Sequence, residues 1–268
     1  MCYYNGVKVT RAEYIRLKNL EKSIANLDLN RPVEIGFEYN HCPVLKRRES
    51  EIDFDIVQME WGFIPHYINT RDDITKMRFG YKDDMGKFHP PITTLNAMSE
   101  EILKPGKIYR NAALKRRCLV LSSGFYEWRH IFPLNKRTGV PNKTAIKYPY
   151  HISVKDKEYF YMAGVWQPWT DRSTGETIEC FAIVTTKANS LMEQVHNNKK
   201  RMPTILPDDL AYEWLFGDLD ESRIFELATY QFHANQMEAC SIAKDFLAAV
   251  EPTKAFEYED LPALDLVI

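Results

Sequence analysis

Cys2 carries the most chemical content of any residue in the chain, because loss of Met1 would leave a thiol and a free α-amine on one short framework. An α-amine titrates near about 8 and a thiol near about 8.5, so both nucleophiles are partly reactive at neutral pH. An aldehyde meeting the pair would form an imine with the nitrogen, and the sulfur would then close a thiazolidine ring. Glu127 stands between two aromatics in Gly124-Phe125-Tyr126-Glu127-Trp128, after the apolar run Cys118-Leu119-Val120-Leu121. Such flanks predict a desolvated carboxylate, whose raised pKa suits proton transfer near neutrality. His196 titrates in the same range, and Lys199, Lys200 and Arg201 after it favour phosphate oxygens. Asn96, in Leu95-Asn96-Ala97-Met98-Ser99-Glu100, offers an amide that could orient a bound group. Each residue also has a structural reading: a small residue after the initiator, a carboxylate on the wet face of an edge strand, a histidine at a helix end, a turn or cap.

These residues need elements to hold them. Thr10 with Glu13 has the capping-box pattern, and Leu17, Leu20, Ile24 and Leu27 follow at helical spacing, which predicts a first helix over residues 11–27. Ile52, Phe54 and Ile56 alternate with acidic residues, the period of a strand with one wet face. Further strands are expected at 33–39, 118–122, 148–154, 158–166 and 178–185, and short helices at 190–196, 208–215 and 220–228. Strands outnumber long helices and lack regular crossover helices between them, which argues against a doubly wound parallel sheet. The expectation is an α+β fold, a single domain on a curved, largely antiparallel barrel-like sheet with peripheral helices. The polar stretch 130–147 reads as an exposed loop, residues 2–250 as the domain, and 251–268 as an acidic tail on the surface.

The 268 residues suffice for one large domain or two small ones. Lys+Arg 35 against Asp+Glu 37 gives a formal charge of -2, so any nucleic-acid site must be a local patch rather than a global field. No apolar run approaches the roughly 18 residues of a membrane span, and the start lacks a charged stretch followed by an apolar one. A cytoplasmic or nucleoid-associated protein is expected. The five cysteines are scattered without a CxxC pair, which speaks against a disulfide framework and a zinc ribbon. His41 beside Cys42 points to opposite faces of a strand, so no metal is expected there.

Taken together the segments resemble the SRAP family, the SOS response-associated peptidases also regarded as abasic-site processing proteins. The family pattern is Met-Cys, WGxIP, NARxE, RCLxPxxGFYEW, AGxW and HxRMP. Here these stand in the same order as Met1-Cys2, Trp61-Gly62-Phe63-Ile64-Pro65, Asn96 to Glu100, Arg117 to Trp128, Ala163-Gly164-Val165-Trp166, and His196 with Arg201-Met202-Pro203. The resemblance implies that Met1 is removed and that Cys2 forms a covalent thiazolidine crosslink with the ring-opened abasic site in single-stranded DNA, a lyase-like activity of the DNA damage (SOS) response. It implies Glu127 and His196 as proton-transfer groups and Asn96 as the residue that positions the N-terminal residue and the DNA. No metal or organic cofactor and no membrane partner is implied, and a monomer is expected.

Two departures stand out. Met98 replaces the family arginine after Asn-Ala, and the segment from His196 to Arg201 is longer than HxRMP, with Lys199 and Lys200 as possible electrostatic compensation. Arg110 and Arg201 are the favoured phosphate contacts and Trp61 a stacking surface for bases. Two rival readings use the same residues: a peptidase with Cys2 as N-terminal nucleophile that processes Met1, and a non-catalytic single-stranded DNA-binding module.

Overall fold

Strands dominate the regular structure of this chain, as the computed structural model, which describes residues 2–265, makes plain. In chain order the strands are β1 (Tyr4–Lys8), β2 (Tyr14–Leu17), β3 (Leu20–Ser23), β4 (Asn30–Ile35), β5 (His41–Arg47), β6 (Phe54–Trp61), β7 (Tyr81–Lys82), β8 (Phe88–His89) and β9 (Asn96–Met98). They continue with β10 (Arg117–Ser122), β11 (Gly124–Ile131), β12 (Ile146–Val154), β13 (Phe160–Thr170), β14 (Thr177–Lys187), β15 (Arg201–Pro203), β16 (Ile205–Leu206) and β17 (Met237–Ser241). The helices are α1 (Arg71–Phe79), α2 (Arg110–Lys115), α3 (Ser190–Val195), α4 (Asp208–Phe216) and α5 (Glu221–Ala228).

Strands β14, β6, β5, β10 and β13 pair in a ring and close a barrel, antiparallel except where β14 meets β6. Strand β9 adds to β14 in parallel, and β15 and β16 extend the sheet. A second, antiparallel sheet has the order β17-β12-β11-β1-β4. Because strand side chains alternate, the barrel divides its core in two. Leu119, Leu121, Ala163, Val165 and Val184 join a cluster with Ala112 of α2, Trp214 of α4 and Ile224 of α5. Val120, Met162, Phe181 and Ile183 instead join Phe125, Tyr148, Tyr150 and Ile152 of the second sheet. Each fully buried large side chain in these layers stabilises the fold by about 1.5–3 kcal/mol. The α+β, barrel-like architecture expected from the sequence is what the chain adopts.

The strand expected at 33–39 ends at Ile35, where Gly36–Glu38 turn in a 3-10 helix, and residues 11–27 are not a helix but contain the β2–β3 hairpin. The reason lies in who takes the first amides. The main-chain N–H groups of Thr10, Arg11 and Ala12 all donate to the carboxylate of Glu158, at 2.7, 2.7 and 3.0 Å, so the incipient helix is replaced by an anchored turn. Lys18 then adopts a left-handed conformation (φ 54°), and Leu17 and Leu20 become opposite partners across the turn rather than neighbours on a helix face. Helix α1 was absent from the expectations, although Thr70 caps it by accepting from the Asp73 N–H. A Thr followed three residues later by an acid was the available signal.

The acidic stretch after Glu251 returns to the body of the fold. Ala255 bridges Ile242, Phe256 N–H donates to Ser241, and Tyr258, Leu261 and Leu264 pack against the inter-sheet core. Residues 266–268 of that stretch lie outside the described residues, as does Met1.

Candidate functional site

The site lies where the first residues enter the second sheet. Strand β1 pairs with β4 on one side and β11 on the other, and just ahead of it Gly36 N–H donates to Tyr3 O at 2.8 Å. A side chain at position 36 would collide with Leu95 Cδ1 at 2.9 Å and crowd Tyr3 O at 3.2 Å. Glycine is therefore what lets the chain start lie against the β9 approach. Cys2 is fully buried there, its thiol directed at Tyr4 O at 3.6 Å.

Asn96 reaches the same point from the barrel side. The parallel pairing of β9 with β14 sets Asn96 opposite Ile183, and Leu95 O accepts from Ile183 N–H and from the Trp61 indole at 3.1 and 3.0 Å. So held, Asn96 donates from Nδ2 to the main-chain oxygen of Cys2 at 2.9 Å. The Tyr109 hydroxyl in turn donates to Asn96 O at 3.1 Å. Sequence reasoning missed Tyr109, which no local motif marks.

Glu127 is 4% exposed. Burial pushes its carboxyl from 4.5 up to about 7, and the carboxylate in turn adds to the burial that already raises the Cys2 thiol well above its ordinary range. The expected desolvation is present, but its cause differs from the one the flanking aromatics suggested. Tyr126 and Trp128 point to the opposite face of β11, where they pack with Phe246. Glu127 faces inward beside its cross-strand partner Tyr150, and the space between the sheets desolvates it.

His196 closes the cluster, with Nε2 at 3.5 Å from Glu127 Oε2. Burial lowers its pKa from 6.5 to about 4, so the ring is neutral at physiological pH. Its Nδ1 lies 2.8 Å from Arg201 O, and a carbonyl only accepts, so Nδ1 carries the proton and Nε2 presents a lone pair. The longer segment between His196 and Arg201 folds back on itself: Lys200 N–H donates to His196 O at 2.8 Å, with Lys200 left-handed at φ 51°. The extra residues thus loop out, and the histidine still meets Glu127. Asn197 then locks α3 to β11, accepting from His130 N–H at 2.9 Å and donating to His130 O at 2.8 Å.

Cys2, Asn96, Glu127 and His196 therefore converge from just ahead of β1, from β9, from β11 and from the end of α3. The expected DNA contacts are more scattered. Arg201 is tied to Glu100 at 2.6 Å and to Thr185, with its main chain holding His196. Arg110 on α2 pairs with Glu221 of α5 at 2.6 Å. Trp61 is 1% exposed and stacked on Phe181, a core position that leaves no face for a base. Lys199 and Lys200 are exposed on the loop beside His196, and Met98 is 41% exposed on β9 two residues from Asn96. Among the described residues no group of three His, Cys, Asp or Glu side chains could hold a metal ion, and no helix is long and apolar enough to cross a membrane.

A sequence profile for the family described as SOS response associated peptidase (SRAP) matches residues 11–247. The chain is 29% identical over 187 residues to the abasic site processing protein YoqW of Bacillus subtilis, covering 69% of this chain and 68% of that protein. It is 28% identical over 194 residues to the abasic site processing protein HMCES of Gallus gallus, covering 64% of this chain and 50% of that one. A crystal structure of a protein from Bacteroides thetaiotaomicron superposes with a TM-score of 0.69 at 28% identity, covering 94% of this chain and 97% of the other.

Proposed function

This chain belongs to the SOS response associated peptidase (SRAP) family, and we propose that it processes abasic sites in single-stranded DNA by capturing them covalently on Cys2. The observation that carries this reading is the convergence of an N-terminal aminothiol residue, anchored through its carbonyl by Asn96, with a buried Glu127 that titrates near neutrality. Relatives bearing the name abasic site processing protein support the substrate class.

With Met1 removed, the α-amine of Cys2 adds to the C1′ aldehyde of the ring-opened sugar to give a carbinolamine. Protonated Glu127 donates to the departing hydroxyl, water leaves, and an iminium forms. The thiol proton then passes to Glu127, the sulfur bonds to the iminium carbon, and the nitrogen becomes neutral in a thiazolidine. One aldehyde and one aminothiol thus yield one ring and one water, with Glu127 returned to its starting state. A thiol raised by burial needs such a base, and a carboxyl near 7 has both forms populated to act in both steps. Neutral His196, its Nδ1–H fixed on Arg201 O, offers Nε2 as acceptor to a hydroxyl of the open sugar.

The test is a single-stranded oligonucleotide with one abasic site, incubated with protein whose N-terminal mass has been measured. A heat-stable shifted band is expected; Cys2→Ala abolishes it and Glu127→Gln slows its formation. Binding without a covalent product would leave a DNA-binding module, and Cys2-dependent cleavage of a protein substrate would replace this reading by a peptidase.

A further inference from the structure

Arg129 lies two residues beyond Glu127 on the same face of β11, since the register Glu127↔Tyr150 and Arg129↔Tyr148 runs without a bulge. Its guanidinium lacks a carboxylate partner among the described residues. Instead it donates to the main-chain oxygens of Pro262 and Ala263 and reaches the Tyr150 hydroxyl at 3.5 Å. The segment that supplies those oxygens is strapped down on both sides. Asp260 accepts from the Tyr148 hydroxyl at 2.6 Å, and Asp265 exchanges two hydrogen bonds with the Gln194 amide of α3, at 2.9 and 2.7 Å. Leu261 and Leu264 pack against the inter-sheet core beneath. The stretch 257–265 carries Glu257, Glu259, Asp260 and Asp265 and no Lys or Arg.

A guanidinium presenting a planar fork to a pair of neutral carbonyl oxygens, next to a proton-transfer site, has the geometry of a phosphate contact filled by a weaker acceptor. We infer that Arg129 is a backbone-phosphate contact of the single-stranded DNA site, and that the acidic segment 257–265 is its intramolecular occupant, displaced when DNA binds. The inference deepens the proposed function and rests on it for the location of the DNA. The acidic segment competes twice: it takes the Arg129 donors, and its carboxylates repel an approaching strand. A DNA phosphate replaces neutral oxygens by charged ones, which is the differential interaction that can shift the equilibrium toward the released segment.

The experiment measures binding of an undamaged oligothymidylate, which requires no crosslink, across a salt series. Two releases of the segment are compared with the full chain: a truncation after Glu259, and the full-length Leu261→Asp/Leu264→Asp variant, which keeps every acidic residue. Both are expected to bind about 5-fold or more tightly, with a salt slope steeper by about 0.7 for one added phosphate contact on a single strand. In an Arg129→Ala background the same releases should leave the slope unchanged. Hydrogen exchange of 258–265 in the full chain should accelerate on saturation with oligothymidylate. Equal affinity and slope with and without the segment, or exchange that DNA leaves unaltered, overturns the inference. A crosslink that forms normally alongside those results would sink only this inference, whereas tighter binding on release with no crosslink would sink only the covalent reading.

Discussion

Glu127 and His196 form a buried pair in which burial raises the acid to about 7, so that both of its forms are populated at neutral pH, and lowers the base to about 4, so that the ring stays neutral. The 3.5 Å approach at neutral pH is therefore a contact between an uncharged ring and a carboxyl group rather than an ion pair. Linkage turns this into a stability prediction. The folded carboxyl binds its proton more tightly than the unfolded one, so its contribution is full below about pH 4.5 and is lost as pH rises through about 7, a cost of about 3 kcal/mol. Glu127→Gln removes that loss, so the Tm of the variant relative to the parent should climb between about pH 5 and about pH 8. A flat difference across thermal melts in that range would show that the carboxyl is not held in its neutral form. Asn96 makes a separate prediction. Its amide fixes Cys2 through the carbonyl at 2.9 Å, so Asn96→Ala should slow crosslink formation by about 10–100-fold. Single-turnover gels would read that rate, and an unaltered rate would reduce Asn96 to a structural bond.

At the scale of elements, the site depends on how an edge is closed. Strand β11 pairs with β1 only at Gly124 and Phe125, so beyond them its β1-side edge is covered by α3 through the paired Asn197 hydrogen bonds to His130. Asn197→Ala would strand two main-chain groups and should cost about 1–3 kcal/mol in denaturant melts. It should also loosen His196, the adjacent residue, visible as a rise of its pKa toward 6.5 by NMR titration. Several strands were legible in the sequence, because β10, β12, β13 and β14 are local runs rich in β-branched, aromatic and other apolar residues between polar turns. The hairpin at β2–β3 was illegible because its cause, Glu158, lies about 150 positions downstream. Cys2, Asn96, Glu127 and His196 were legible as motif residues, and the chain brings them together. Tyr109, Asn197 and Arg129 were not, since each acts through a contact that exists only after β9, α3 and the 257–265 segment have docked.

For the molecule as a whole, a formal charge of -2 means that no long-range field gathers DNA, so affinity must be assembled from countable local contacts. The fold spends many of its cations internally: Arg201 on Glu100, Arg110 on Glu221, Arg78 and Arg71 on Glu60. Lys199 and Lys200 remain exposed beside His196, and Met98 is exposed close to Asn96 without a charge. A protein built this way should show a shallow salt dependence, and each charge change at the rim should appear as a discrete step in it of about 0.7 per phosphate contact on a single strand. Met98→Arg adds a guanidinium at an exposed position of β9, two residues from Asn96, without disturbing the core. It should steepen the slope of log affinity against log salt by about 0.7, while Lys199→Ala/Lys200→Ala should flatten it by up to twice that amount. Fluorescence anisotropy with an undamaged single strand at several salt concentrations measures both. If the two variants leave the slope where it was, the strand does not cross the rim between Met98 and the His196 loop, and the DNA path must be sought on another face of the barrel.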